Sequence, residues 1–440
     1  MVKLGLKNID ETLSKTLGTT SHTATTARTT FTALARKMPT HSAAVLRRLG
    51  GGVSIMTAAL TRMRAEDWDG LAHRVDHVRV CGSVVEPLID WSQCPGATRR
   101  FDSDTQAVDL LRRSVHFERF KAAASAARQA GLHIVLSPMQ QLHTLEVSAT
   151  TLRWVWMAML AEFSTAEWPA ERVVFELVNE PGNFQNHSVS GGRFVEMLPA
   201  LLRLISSAQP SRVMIVGGQM GMRADFAAGR TFVNSGPALV LDAPAIAALA
   251  ARHHLVGTFH FYRPRAFTNQ GMPDVHAMTP QPRWQGTATD VDDLAQHFAA
   301  VRSALNATPV YLGEFGINVE VVPERSDGIA WLRTVRSLAE RSGFAWALWT
   351  YSLSPKGVTA ADSASERLRQ WDCSGFVQAL FERRANCRRG RALDANMSER
   401  FRQAVHRRER DRDGQRGGCN DRRPEYADQL LAALTTNISR

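Results

Sequence analysis

The sequence predicts an α/β fold: a closed (β/α)8, or TIM, barrel with basic, disordered extensions at both ends. Three observations point there. Between about residues 48 and 384, eight short apolar runs alternate with stretches of helical period, as parallel strands returned by helices require. The runs lack strict apolar/polar alternation, which marks strands buried on both faces. No glycine-rich phosphate loop follows the first run, which counts against an open nucleotide-binding sheet.

The strands are expected, in order, at Gly52–Met56, His77–Cys81, His133–Ser137, Arg172–Val178, Arg212–Gly217, Leu255–His260, Val310–Glu314 and Phe344–Trp349. Helices are expected between them. Val115 to Gly131 sets Phe117, Phe120, Ala124 and Ala127 on one face. Leu152–Phe163, Phe194–Ser207 and Val291–Leu305 repeat the pattern. Gly131 and Gly343 stand where helices must stop before the next strand, and glycine tolerates the left-handed conformation of a helix C-terminus.

The chain has 440 residues, is 44% hydrophobic and 22% charged, and carries a net charge of +11. Such a composition excludes a wholly disordered or fibrous protein. No apolar run approaches the roughly 18 residues that a membrane-spanning helix needs. The charge is concentrated at the ends. Residues 1–65 and 383–423 each hold a net +8, leaving −5 for the rest, which argues against a nucleic-acid-binding core. Three segments are therefore expected: a basic Thr-rich extension over 1–47, the barrel over 48–384, and an Arg-rich tail over 385–440. The ends read first as solvated tails; the rival reading is that they dock nucleic acid or an acidic surface. The N-terminal composition is transit-like, without the apolar core of a secretory signal. Five cysteines show no metal-knuckle or redox spacing, and a Cys81–Cys94 disulfide is left open.

In a barrel of this kind the strand C-termini carry the chemistry. Here they hold Arg79, Asn179-Glu180, His260 with Tyr262, Glu314 and Trp349. A lone glutamate at a strand end is usually solvated, and a lone tryptophan is usually core. Their joint placement at five strand ends is what gives them meaning. Two acids facing each other across a barrel mouth suit glycosidic bond cleavage, in which one protonates the leaving oxygen and the other attacks or stabilises the anomeric carbon.

Over about residues 48–355 the sequence resembles glycoside hydrolase family 5, the cellulase family. The motifs are Val174-Phe-Glu-Leu-Val-Asn-Glu-Pro181, Thr258-Phe-His-Phe-Tyr262, Leu312-Gly-Glu-Phe-Gly316, Trp346-Ala-Leu-Trp-Thr-Tyr351 and Asp76-His-Val-Arg79. The resemblance implies a retaining β-1,4-glucanase that uses no metal or organic cofactor. Glu180 would be the acid/base and Glu314 the nucleophile. Arg79 would keep Glu314 ionised, Tyr262 would donate to it, His260 would tune Glu180, Asn179 would bind the sugar 2-hydroxyl, and Trp349 would be the platform under the sugar. Trp284 and Trp91 would stack on further sugars or pack. One departure stands out. Where the family carries a His pair after strand three, this chain has Met139 and Gln140; His143, three residues on, either swings into that subsite or stays a loop residue. Alternatives are a β-mannanase or other β-glycanase, or a non-catalytic carbohydrate-binding barrel. By family analogy the protein would be secreted.

Overall fold

The computed structural model describes residues 40–57, 63, 65–90, 97–139, 148–180, 191–217, 248–268, 283–305, 307–317 and 324–349. Eight strands form one closed parallel barrel. They are β1 (Gly51–Met56), β2 (His77–Cys81), β3 (His133–Ser137), β4 (Val173–Glu176), β5 (Met214–Gly217), β6 (Leu255–Phe261), β7 (Val310–Phe315) and β8 (Ala345–Leu348). Each pairs with its sequence neighbour, and β1 pairs with β8 to close the ring. The (β/α)8 architecture expected from the sequence is thus observed.

The described helices of eight residues or more are α1 (Thr40–Leu49), α2 (Ala65–Ala72), α3 (Asp104–Arg112), α4 (Val115–Gln129), α5 (Ala149–Phe163), α6 (Gly191–Ala208), α7 (Ala288–Leu305) and α8 (Arg325–Arg341). None is long and apolar enough to cross a membrane. Their ends follow local chemistry. The Ser114 and Ser148 hydroxyls accept from the backbone N–H groups of Phe117 and Thr151, capping α4 and α5. Gly131 and Gly343 take positive φ values of 79° and 70° just after α4 and α8, as a left-handed helix end requires.

Helix α1 moves the lower boundary of the folded unit. The extension was expected to run to residue 47, yet Val45, Leu46 and Leu49 are buried and pack with Val135, Val174, Ile215, Val256 and Tyr311 from the barrel interior. The helix is the apolar floor of the barrel, and residues 40–47 belong to it. The remainder of the expected N-terminal extension, and the whole of 385–440, lie outside the described residues.

Just above that floor sits His77. Its Nδ1 lies 2.6 Å from the Leu49 carbonyl and must donate to it; Nε2, 2.9 Å from the Tyr311 hydroxyl, then accepts. Burial drives its pKa down to about 3, against a weaker pull upward from the Leu49 carbonyl. The ring therefore enters the fold neutral. Because the native state resists this proton, the stability it confers is complete above the unfolded-state value near 6.5 and is lost as pH falls toward 3. Its full loss amounts to about 5 kcal/mol. Urea unfolding at pH 7 and pH 4 is expected to show most of that decrease; equal stabilities would contradict it.

Candidate active site

Arg79 lies in an apolar strand and is fully buried. A charge there survives only if its donors are all used. They are. Nε donates to Glu176 Oε2 at 2.5 Å, Nη1 to Glu314 Oε1 at 2.7 Å, and Nη2 to Asn179 Oδ1 at 2.7 Å. Nη1 also lies 3.2 Å from the Cys81 sulfur, and Nη2 3.5 Å from the Ser137 hydroxyl. One guanidinium from β2 thereby ties β7 to both ends of the motif that leaves β4. Fixing Asn179 by its oxygen turns its NH2 group outward as a donor.

Glu314 occupies the end of β7. Its second oxygen, Oε2, accepts from the Tyr262 hydroxyl at 2.9 Å. His260 Nδ1 lies 2.7 Å from Glu180 Oε1 and 3.4 Å from Glu314 Oε2, so one imidazole nitrogen stands between the two carboxyl groups. An oxygen of Glu180, a nitrogen of His260 and an oxygen of Glu314 all fall within 4.8 Å of one another. The β6–β7 ladder shifts register between Phe259 and His260, which sets His260 opposite Glu314; a bulge next to a site commonly re-aims a side chain in this way. Glu180 has φ +43°, the one positive value among described non-glycine residues. Such backbone strain is held only where the surroundings over-determine it, and it clusters at functional positions.

The electrostatics follow from burial and sharing. Burial alone would lower His260, but Glu314 and Glu180 outweigh it and hold the imidazole above its ordinary value. Burial pushes the Tyr262 phenol well above the usual range, with Glu314 and Glu180 adding to it, so it remains a donor. Burial works against the charge of Arg79, yet Cys81, Glu176 and Glu314 raise it further still. Arg79 was expected to favour the ionised form of Glu314 and pulls that way: burial raises the Glu314 pKa and Glu180 adds to the rise, while His260, Arg79 and the Tyr262 hydroxyl oppose it. The physical reason for the rise is the withdrawal of the carboxylate from water.

The glycines of the Gly313-Glu-Phe-Gly316 motif are explained by close approach. A Cβ on Gly313 would lie 2.7 Å from the Thr258 hydroxyl and 3.0 Å from His260 Nε2. One on Gly316 would lie 2.2 Å from the Trp349 carbonyl oxygen. Gly313→Ala is therefore expected to displace His260 and cost on the order of 10²-fold in kcat. Steady-state kinetics together with a thermal melt check this; full activity with unchanged stability would contradict it.

The structure brings Arg79, Asn179, Glu180, His260, Tyr262 and Glu314 together. Trp349 follows β8, half-buried, with its backbone N–H donating to the Phe315 carbonyl at 2.8 Å beside Glu314. Trp284 belongs to the core instead. It is 5% exposed, its ring centroid is 6.4 Å from that of Phe267, and it offers no open face for a sugar. His143, Gln140 and Trp91 lie outside the described residues. Met139 is fully buried and bridges to Ser83. Cys81 is a free thiol inside the barrel, pushed by burial up to about 12, so the disulfide left open above is not formed by it. Glu176 was missed. The signal was present: an acid inside the apolar run Val173–Val178 has to be buried, and a buried acid needs a cation.

Among the described residues Glu180, His260 and Glu314 are also the one donor set that could hold a metal ion. The Glu314 oxygens, however, already accept from a guanidinium and a phenol, and a cation at 2.7 Å opposes a second. The donor set suits proton handling better.

A family model described as cellulase (glycosyl hydrolase family 5) matches residues 96–354, more than half of the chain. Endoglucanase H of Acetivibrio thermocellus is 29% identical over 186 residues, which cover 41% of this chain and 17% of that relative. The match thus spans about a sixth of the relative's length. Among solved structures, a hyperthermophilic endo-β-1,4-glucanase in complex with substrate aligns with a TM-score of 0.52 at 19% identity, covering 74% of this chain and 98% of the other. Thermotoga maritima Cel5A in complex with cellobiose aligns with a TM-score of 0.51 at 18% identity, covering 72% and 96%. At these identities the likeness is one of fold.

Proposed function

Because the chain belongs to the cellulase family, glycosyl hydrolase family 5, we propose that it is a retaining glycoside hydrolase cutting β-1,4-glucan internally by double displacement. The observation that carries this reading is the approach of Glu180 and Glu314 to within 4.8 Å. Retaining enzymes hold their carboxyl groups about 5–5.5 Å apart, whereas inverting enzymes leave about 6.5–9.5 Å for a water.

In the first step Glu180, protonated, gives its proton to the leaving glycosidic oxygen while Glu314 attacks the anomeric carbon. The glucosyl group is then bonded to Glu314. In the second step Glu180, now ionised, takes a proton from water, and that water releases the sugar with its original configuration. Tyr262 and Arg79 aim Glu314 through its two oxygens. His260, bridging the carboxyl groups, settles which of them holds the proton. Asn179 donates to the 2-hydroxyl, a contact that strengthens in the transition state. Trp349 forms the floor under the sugar. The names of the relatives above support glucan as the polymer.

The test is a panel of soluble polysaccharides, β-glucan and β-mannan among them, read by reducing-end release and viscosity. Rapid viscosity loss on β-1,4-glucan is expected. Preference for mannan would move the substrate assignment while keeping the chemistry. Saturable binding without hydrolysis over days would instead support a non-catalytic barrel.

A further inference from the structure

We propose that Glu176 is a positioning residue of this reaction: it takes the Nε edge and part of the charge of Arg79, so that the guanidinium steers Glu314 and Asn179 without closing Glu314 into a private ion pair. The inference rests on the double-displacement reading above. Glu176 lies at the end of β4, fully buried. Its Oε2 meets Arg79 at 2.5 Å, shorter than the Arg79–Glu314 contact at 2.7 Å. Its Oε1 has no hydrogen-bond partner among the described residues. A carboxylate withdrawn from water for a single partner must be there for that partner.

The geometry gives this partnership a consequence. Nε, Nη1 and Nη2 of one planar group are committed to Glu176, Glu314 and Asn179 respectively. Fixing the Nε edge fixes the plane, and with it the directions in which the other two nitrogens point. The charge matters as well. Glu314 faces Arg79 and Cys81 on β2, Glu180 beyond the end of β4, and His260 and Tyr262 from β6, with Tyr311 on its own strand; Glu176 on β4 reaches it through Arg79. The Cys81 thiol and both phenols stay neutral across the working range. At Glu314 burial and Glu180 therefore stand against His260, Arg79 and the Tyr262 hydroxyl, and Glu176 enters through the arginine it shares. Glu176 keeps the arginine from over-stabilising the attacking carboxylate, which leaves Glu314 more basic and a better nucleophile.

Glu176→Gln keeps the shape and an acceptor for Nε but removes the charge. The acidic limb of kcat/KM, which in the native enzyme should lie above the ordinary glutamate range, is expected to move down by roughly one pH unit as Arg79 turns wholly to Glu314. Plateau kcat should fall about tenfold with KM little changed. A purely structural ion pair would lower the melting temperature and leave the limb in place; that result, or an upward shift, overturns the proposal. Glu176→Asp, which keeps the charge but shortens the reach, is expected to hold the limb and lose kcat. Should the Gln variant not fold, a limb displaced in the Asp variant overturns the proposal, and a limb held with reduced kcat supports it. A 2-fluoroglycoside that labels Glu314 in the native chain tests the parent reading separately: no label at Glu314 sinks that reading, whereas a label with an unmoved limb sinks only this one.

Discussion

Glu314→Ala is expected to abolish turnover of β-glucan and of an activated aryl β-glycoside alike, by on the order of 10⁴-fold or more. The residue is buried at the end of β7 with each oxygen held, by Arg79 at 2.7 Å and Tyr262 at 2.9 Å. Nothing else described is placed to form the glycosyl bond from that side. Removing the carboxylate leaves a space the size of a small anion beside a guanidinium. Azide should enter it, attack the anomeric carbon directly and give the α-glycosyl azide, with inverted configuration. Glu314→Gln, which fills the space and cannot attack, should show no rescue. Substantial activity in either variant without azide would remove Glu314 from the assignment.

Glu180→Ala separates the two steps. On an unactivated glucan both the acid and the base role are lost, and a fall of about 10²–10⁴-fold is expected. On a dinitrophenyl glycoside the leaving group needs no proton, so bond cleavage should continue and only release from Glu314 should be slow. A burst of dinitrophenol followed by a slow steady state is the expected trace. Azide should speed the second phase and give the β-glycosyl azide, the opposite configuration from the Glu314 variant. The burst is the informative feature, because a variant that was merely misfolded would lose it. An equal loss on both substrates, with no burst, would mean that Glu180 is not the acid/base.

Much of this arrangement was legible in the sequence, for reasons that can be named. β2 and β3 were expected at their observed limits, His77–Cys81 and His133–Ser137, because each is a short apolar run bounded by polar or glycine-rich chain. β4 and β5 came out shorter than their apolar runs. Leu177 and Val178 are buried beyond the end of β4, where Leu177 donates a last bond to the Ile215 carbonyl at 3.1 Å before the chain carries on to Asn179 and Glu180, and hydrophobicity alone cannot mark where pairing stops. Helix α1 was hidden for a different reason. Ser42, Val45, Leu46 and Leu49 have helical spacing and are buried, yet they sit at the end of a long acid-free, Thr-rich stretch whose composition masked a pattern four residues strong.

The site divides in the same way. Glu180, His260, Tyr262 and Glu314 could be read because each falls at the end of a strand, and strand ends are countable. Arg79 could be placed, but its charge sharing could not, since the partner Glu176 is 97 residues away in sequence. The φ of +43° at Glu180 and the register shift that sets His260 opposite Glu314 carry no local sequence mark. Trp284 shows the converse limit: an aromatic after a loop has the same one-letter signature whether it faces a sugar or, as here, Phe267 and the core.

The stereochemistry of the first-formed product bears most directly on the pairing of Glu180 with Glu314. Proton NMR of the anomeric region in the first minutes of hydrolysis of a β-1,4-glucan oligosaccharide, before mutarotation, should show the β-anomer appearing first and the α-anomer growing only later. Initial appearance of the α-anomer would mean a single displacement by water, and two carboxyl groups this close together could not then be acting as nucleophile and acid/base.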